Sequence, residues 1–260
     1  MKKLLSIFIL FVSISLHQEN QPYPPIDLIS MPTSGTLPKG TYSIETLLTN
    51  NGGIQPKFLI GISENFTLGF SFGLQNFIGT GDVVKNKAYP EFNLKYRIYE
   101  ESERFPALLI GFDTQGKGKY DEINQRYDQK AMGLYLVASR NWNALGNLGF
   151  HIGINKNDIE GKDNDVNLFF GFDKEINRSF SILAEYDFAR NDDELKDTNG
   201  INLREGKGVF NLGVRWSATD NLMLEFNFND TFKNIKYLDR DSIPFKSRVR
   251  EVKIIYFEQF

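Results

Sequence analysis

The chain has 260 residues, a net charge of −3 and no cysteine. The small net charge and the scattered Lys and Arg residues exclude a basic nucleic-acid-binding face, and the lack of cysteine excludes a disulfide framework or a lipidated N-terminal Cys. Mean hydropathy is −0.35, and a single long apolar run excludes a helical membrane protein, which needs about 20 apolar residues per span.

That single apolar run lies at the start of the chain. In MKKLLSIFILFVSISL, two lysines precede the apolar stretch Leu4–Val12, and small serines follow it. This order predicts a signal peptide over residues 1–17, since a membrane anchor would need a longer apolar run. We therefore expect an exported protein with an extended N-terminal segment, 18–40, ahead of a main domain, 41–260.

Beyond residue 40, apolar and polar residues alternate along almost every segment. In FTLGFSFGL (66–74), Phe and Leu share one face, while Thr, Ser and Gly share the other. This period of two predicts β-strands. The predicted strands are 41–50, 54–63, 66–75, 89–99, 105–114, 130–141, 146–155, 165–174, 179–190, 207–217, 221–231 and 247–258. Most have about ten residues, which suits a tilted strand crossing a bilayer better than an ordinary strand of about five or six.

The connections between these strands alternate in length. After a first tight hairpin, short turns occur at 63–65, 100–104, 142–145, 175–178 and 217–220, and long polar segments at 76–88, 115–129, 156–164, 191–206 and 232–246. Outer-membrane barrels have short periplasmic turns and long external loops. The sequence therefore predicts an all-β fold, a single up-and-down antiparallel transmembrane β-barrel of about twelve strands, with outer-membrane lipid and lipopolysaccharide around it.

The last predicted strand, in REVKIIYFEQF, carries two expectations. Its apolar face and aromatic end resemble the C-terminal signal that the outer-membrane assembly machinery recognises, although Glu258 stands where an apolar residue is usual. The residues of this signal are Val252, Ile254, Tyr256 and Phe260. Because every backbone polar group in lipid must be paired, we also expect this strand to close onto the first one, near 42–49.

Alternation also predicts which charged and titratable residues face the lumen. They are Glu45, Lys57, Glu91, Lys95, Arg97, Asp113, His151, Asp173, Glu185, Asp187, Arg215, Glu225, Glu251 and Lys253. A barrel of about twelve strands has a bore between the filled eight-stranded type and an open porin. The opposed charges either cross-link the lumen into a plug or line a narrow polar pore, and the sequence leaves both interpretations open.

Two regions of the sequence resemble a known family. LISMPTSGTLPKGTY (28–42) is similar to the TPTA…G opening of YjbH-like outer-membrane proteins, with Met-Pro-Thr-Ser at 31–34. FPALLIGFDTQGKGKY (105–120) with LYLVASRNW (134–142) is similar to that family's P-A…G-x-x-D-x-x-G-x-G…EYLVASK stretch. The matching residues are Pro106, Gly111, Asp113, Gly116, Gly118, Tyr135, Val137, Ala138 and Ser139, whereas Leu134 and Arg140 replace Glu and Lys. The resemblance implies an outer-membrane β-barrel linked to exopolysaccharide production.

Three motifs suggest chemistry of other kinds. GFDTQGKG (111–118) comes close to a phosphate loop, but Gly118 replaces the hydroxyl residue and no amphipathic helix pattern follows, which favours a glycine-rich external loop. His151 could act as a base for Ser139 on the neighbouring strand, although a hydrogen-bonded filler is the commoner role. The acidic segments 157–165 and 191–197 offer carboxylates for calcium without a spacing that fixes a coordination sphere, so solvated loops are expected. We predict no enzyme, metal or cofactor.

The function predicted from these observations is a structural or transport role in the outer membrane. Through the family resemblance it is linked to export or assembly of envelope exopolysaccharide, which would make polysaccharide a partner. The alternative is a general diffusion porin for small solutes. A barrel hydrolase using His151 is a remote third.

Overall fold

A computed structural model describes residues 25–49, 52–79, 82–122, 124–161, 163–193, 207–238, 244–246 and 249–260. Within these residues, twelve long strands form the wall of a closed antiparallel barrel. They are β1 Thr41–Leu48, β2 Ile54–Ser63, β3 Phe66–Ser71, β4 Glu91–Tyr99, β5 Ala107–Asp113, β6 Gly133–Asn143, β7 Asn147–Lys156, β8 Asn167–Asn177, β9 Phe180–Asp187, β10 Val209–Ser217, β11 Leu222–Asn229 and β12 Val249–Gln259. The predicted barrel is confirmed, while the predicted signal peptide lies outside the described residues.

The barrel closes where its last strand meets its first. Strand β12 pairs antiparallel with β1 from Thr41↔Gln259 to Leu48↔Val252, and β1 also pairs with β2, so neither strand has a free edge. The even number of wall strands brings residues 41 and 259 to one end of the barrel. We call this the turn end, because it also carries the short turns, and the opposite end the loop end.

Strand β3 is shorter than predicted. It ends at Ser71, and the short strand Leu74–Gln75 pairs onward with Ile54 and with the short strand Val84–Lys85. Pro56 of β2 explains the break, because the Phe72 N–H still donates to the Pro56 carbonyl while proline has no N–H to return. A 3-10 turn spans Arg190–Asp192, and no helix in the described ranges is long and apolar enough to cross a membrane.

The two faces of the wall differ as the alternation predicts. Phe70 is 43% exposed, whereas Ser71 beside it is 1% exposed. Exposed outward side chains on the wall strands include Ile44, Leu68, Phe92, Tyr96, Ile110, Leu136, Phe150, Ile152, Ile154, Phe170, Phe172, Ile182, Val214, Trp216, Phe226, Phe228 and Tyr256. Soluble proteins rarely expose so much contiguous apolar surface, whereas a membrane barrel presents it to lipid. The chain is an outer-membrane-type β-barrel.

Glu258, which stands where the C-terminal assembly signal usually has an apolar residue, has hydrogen-bond partners on the outer face. The hydroxyl groups of Tyr42 and Tyr256 donate to the Glu258 carboxylate at 3.1 and 2.6 Å. The Tyr42 ring also lies 6.3 Å from the ring of Phe260 and 6.1 Å from that of Phe58. On the outer face of the closing seam, aromatic side chains therefore surround the Glu258 carboxylate.

Candidate functional site: the occupied lumen

Residues 25–40, here called the plug, fill the lumen as a hairpin. The Leu28 N–H donates to the Met31 carbonyl at 2.9 Å, and Asp27 and Pro32 form an isolated bridge. The plug leaves the lumen at the turn end, where Thr36 donates to the carbonyl of Glu64 at 2.8 Å. Its tip, residues 28–31, points towards the loop end.

Apolar packing fixes the plug against the wall. Met31 packs with Leu109, Tyr135, Val137 and Phe169, Leu28 and Ile29 pack with Leu183, and Ile26 and Leu37 pack with Leu59. Leu28 and Leu37 are fully buried, and burying one such side chain contributes roughly 1.5–3 kcal/mol. Wall glycines make room for the plug, since a Cβ at Gly171 would overlap Leu28 and one at Gly61 would overlap the Pro38 carbonyl. The wall is therefore shaped around this hairpin.

One carboxylate of the wall holds the tip of the plug. Glu185, on β9, accepts hydrogen bonds from the backbone N–H groups of Ile29, Ser30 and Met31, each at 3.0 Å. Asn211 donates to the same carboxylate at 2.8 Å. Consecutive backbone N–H groups that point at one anion form a nest. Here the nest belongs to the plug and the anion to the wall.

On the other side of the lumen the charges are reversed: there the plug supplies a carboxylate, Asp27, and the wall supplies cations. The Lys95 ammonium is 2.7 Å from one carboxylate oxygen of Asp27, and the Lys57 ammonium is 3.8 Å from the other. Arg215 donates to the Asp27 carbonyl at 2.8 Å. Burial opposes ionisation of Asp27, but the charges of Lys95 and Lys57 outweigh it and hold the pKa of this carboxyl below its usual range. Asp27 is therefore an ionised anchor of the plug.

The loop end is covered by residues 114–132, here called the lid. Lys117–Asp121 and Arg126–Gln129 form a small hairpin. Because a hairpin and not a helix follows 111–118, this motif lacks the structure of a phosphate loop. The Lys117 ammonium donates to the Ser30 hydroxyl at 2.7 Å and lies 3.1 Å from the Glu251 carboxylate. Lid, plug and wall therefore meet at one lysine.

Two buried carboxylates anchor the lid. Glu160 is 2% exposed and accepts the backbone N–H groups of Tyr127 at 3.1 Å and Ala131 at 3.3 Å. Glu91 accepts the Tyr127 hydroxyl at 3.0 Å. The expectation of a solvated segment over 157–165 is wrong at Glu160, because its carboxylate satisfies two buried N–H groups. Arg126 of the lid also pairs with Asp192.

Ser139, His151 and Asp173 form a hydrogen-bonded row on three adjacent strands. His151 Nδ1 lies 2.7 Å from Ser139 Oγ, and His151 Nε2 lies 2.8 Å from Asp173 Oδ1. The row looks like nucleophile, base and acid, but Ser139 is 3% exposed and accepts the N–H of Ser34 at 2.9 Å. Ser139 is thus occupied by the plug, and the row positions a hydroxyl acceptor for it.

The structure places the residues predicted to face the lumen in distinct groups. Glu225 pairs with Arg215 at 2.7 Å and with Lys253 at 3.3 Å, beside Asp27. Asp113 lies 3.5 Å from Lys57, which stands opposite Glu45 in the register of β1 and β2. Arg97 lies apart at the turn end, where it bonds Asn65, and Asp187 lies apart at the loop end, where it accepts Asn167.

Little free space remains beside the plug. A cavity of about 70 Å³ lies between plug, lid and wall, with Lys57, Tyr135 and Lys253 in its lining. A cavity needs a volume of about 10–15 Å³ to hold one buried water molecule. The cavity has room for only a few water molecules, so the described residues leave no solute path through the lumen.

Neither the protein-family models nor the curated proteins contain a match to this chain. Its fold resembles several solved structures. The KdgM porin is 12% identical over 85% of this chain and 99% of its own, with a TM-score of 0.47. The NanC porin is 10% identical over 84% and 99%, with a TM-score of 0.43. An outer membrane channel from Pseudomonas putida F1 is 11% identical over 86% and 97%, with a TM-score of 0.43.

Proposed function

We propose that this protein is a small-solute channel of the outer membrane, held closed by its own plug. The observation that carries the proposal is the lumen itself, whose wall carries many polar and charged side chains but whose bore is filled by a separate hairpin. A barrel that serves only as a closed structure can fill its interior with wall side chains. Here the wall leaves a bore, and the bore accommodates residues 25–40.

The plug is attached to the wall in a way that allows its release. Within the described residues the plug hairpin pairs with itself, at Asp27 and Pro32, and forms no strand ladder with the wall. Its principal polar contacts run through wall side chains such as Glu185, Lys95 and Ser139. When the plug leaves, water can solvate these polar side chains. The cost of release lies in the apolar wall residues that the plug covers, such as Leu109, Phe169 and Leu183.

Single-channel recording in planar bilayers tests the proposal. Glu185→Gln keeps the shape of the side chain but removes the charge that holds three N–H groups, and hydrogen bonds to charged groups contribute about 1.5–3 kcal/mol each. We expect rare openings in the wild type and an open probability at least about tenfold higher in Glu185→Gln. The matched control is Glu100→Gln, at an exposed turn-end carboxylate far from the plug.

Folding of each variant is checked by the shift in gel migration on heating. A second variant, which lacks residues 26–33, removes the hairpin tip altogether. If both variants fold and neither conducts more than the wild type, the channel function is wrong.

The exopolysaccharide role is a second proposal, and two contacts favour it. The two regions that resemble YjbH-like proteins meet in the lumen, since Lys117 donates to Ser30 and Ser139 accepts from Ser34. A resemblance that falls on plug, lid and their contacts suggests a gating device shared with that family. The test is the amount of surface polysaccharide in a strain that lacks the protein, compared with a strain that carries the wild type. Equal amounts would argue against the role.

A further inference from the structure

Lys95 has an unusual environment for a buried lysine. It is 1% exposed, and its ion-pair and hydrogen-bond partners among the described residues, Asp27 and the Ile26 carbonyl, both belong to the plug. Its cross-strand neighbours in the wall, Thr67 and Gly111, carry no charge. A buried ammonium without a partner is strongly unfavourable. The wall therefore presents a cation whose counter-charge comes from the contents of the lumen.

Lys57 completes the site from the other side of β3. Lys57 on β2 and Lys95 on β4 flank β3, and their two ammonium groups converge on the two oxygens of the Asp27 carboxylate. Lys57 has a wall partner as well, Asp113 at 3.5 Å, whereas Lys95 has none there in the described part of the chain. We call these two residues the lysine pair. In the closed barrel, Asp27 is the carboxylate bound to the lysine pair.

The opposite side of the lumen has the complementary chemistry. Glu185 lies on β9, nearly across the twelve-stranded wall from β4, and it accepts hydrogen-bond donors from the plug. The plug thus presents a carboxylate to one side of the lumen and N–H donors to the other. A bound group that contacts both the lysine pair and Glu185 must therefore carry a carboxylate and hydrogen-bond donors.

We propose that the lysine pair is the solute-binding site of the open pore, and that its solutes are small carboxylates that also carry hydroxyl or amine donors. This inference rests on the proposed channel function. When the plug leaves, Lys95 loses its carboxylate and Glu185 loses its donors, and a hydroxycarboxylate replaces both. The plug then acts as a built-in competitor of the solute, because Asp27 and the solute carboxylate bind the same two ammonium groups.

Three probes of similar size separate charge from shape. Gluconate carries a carboxylate and hydroxyl groups, sorbitol is its neutral counterpart, and N-methylglucamine is its cationic counterpart. Asp27→Asn vacates the lysine pair and weakens the plug. In bilayers, we expect Asp27→Asn to pass gluconate at least about tenfold better than N-methylglucamine, as read from reversal potentials. By titration calorimetry in detergent, Asp27→Asn should bind gluconate more tightly than the wild type does, and neither should bind sorbitol measurably.

A second substitution assigns the effect to Lys95. Asp27→Asn combined with Lys95→Met should lose both gluconate binding and anion preference, whereas Asp27→Asn combined with Lys156→Gln, at an exposed loop-end lysine, should keep them. Lys57→Gln is a further test if Lys95→Met fails to fold.

The outcomes distinguish the site from the channel. Gluconate binding that survives Lys95→Met or Lys57→Gln, or equal passage of gluconate and N-methylglucamine through Asp27→Asn, would overturn the inference and leave the channel function standing. Gluconate binding to Asp27→Asn without conductance in any variant would support the site and refute the channel.

Discussion

Single inward-facing side chains determine how much space this lumen leaves for a substitution. Ser71 illustrates why the inner face is less tolerant than alternation alone suggests. Ser71 is 1% exposed, and its hydroxyl donates to the Gln115 side chain of the lid at 2.9 Å. In an empty polar pore Ser71 would accept a larger polar side chain, but in this filled lumen a larger side chain must displace the lid.

The outward neighbour Phe70 provides the clearest residue-scale test of the membrane face. An arginine near the bilayer midplane costs roughly 2–4 kcal/mol. We expect Phe70→Arg to lower the free energy of unfolding by about this amount in urea titrations of the barrel in lipid vesicles, and Phe70→Leu to change it by less than about 1.5 kcal/mol. Equal stability of the two variants would exclude lipid contact at this position.

The depressed pKa of Asp27 gives a prediction of pH dependence. A carboxyl whose pKa is lowered in the folded state contributes fully above its unfolded value, 3.8, and loses its contribution as the pH falls below that value. The difference in open probability between wild type and Asp27→Asn should therefore stay constant from about pH 8 to about pH 5. A difference that disappears within that window would show that Asp27 is not ionised as the structure implies.

At the scale of elements, the sequence predicts the wall well and its contents poorly. The sequences of β7 and β11 show which side chains face lipid and which face the lumen. Each face has a single environment along the strand, so apolar and polar residues alternate with a period of two. Residues 28–37, LISMPTSGTL, have no such period. Their apolar content indicates burial, but the burial site comes from tertiary fit to Gly61, Gly171 and Glu185. Lid anchoring by Glu160 was hidden for the same reason, since a buried carboxylate and a solvated one look alike in sequence.

The lid offers an element-scale prediction. Glu160→Ala leaves two buried N–H groups, of Tyr127 and Ala131, without an acceptor, at about 1–3 kcal/mol each. We expect faster trypsin cleavage at Lys119, an exposed lid residue, with the barrel still folded. The control, Asp158→Asn, changes an exposed carboxylate of the same loop. Identical cleavage rates would show that Glu160 does not hold the lid.

At the scale of the whole molecule, two segments close one barrel from opposite ends. The plug enters through the turn end, the lid covers the loop end, and they meet where Lys117 contacts Ser30 and Glu251. The architecture around them follows from strand length, alternating loop length and backbone pairing, which are local signals. Whether the lumen is open depends on contacts of the plug with residues distant in sequence, such as the one between residues 30 and 117, which no local pattern encodes.

The central claim is that residues 25–40 occupy the lumen, and a disulfide between plug and wall tests it most directly. The chain has no cysteine, so Ser34→Cys with Ser139→Cys introduces the only pair of thiols, at two residues whose backbone N–H and hydroxyl are 2.9 Å apart. On oxidation of the folded protein in membranes, we predict a cross-link that shifts the denatured band on a non-reducing gel and suppresses channel openings until reductant is added. Two thiols that stay free and react separately with a small maleimide would contradict the account.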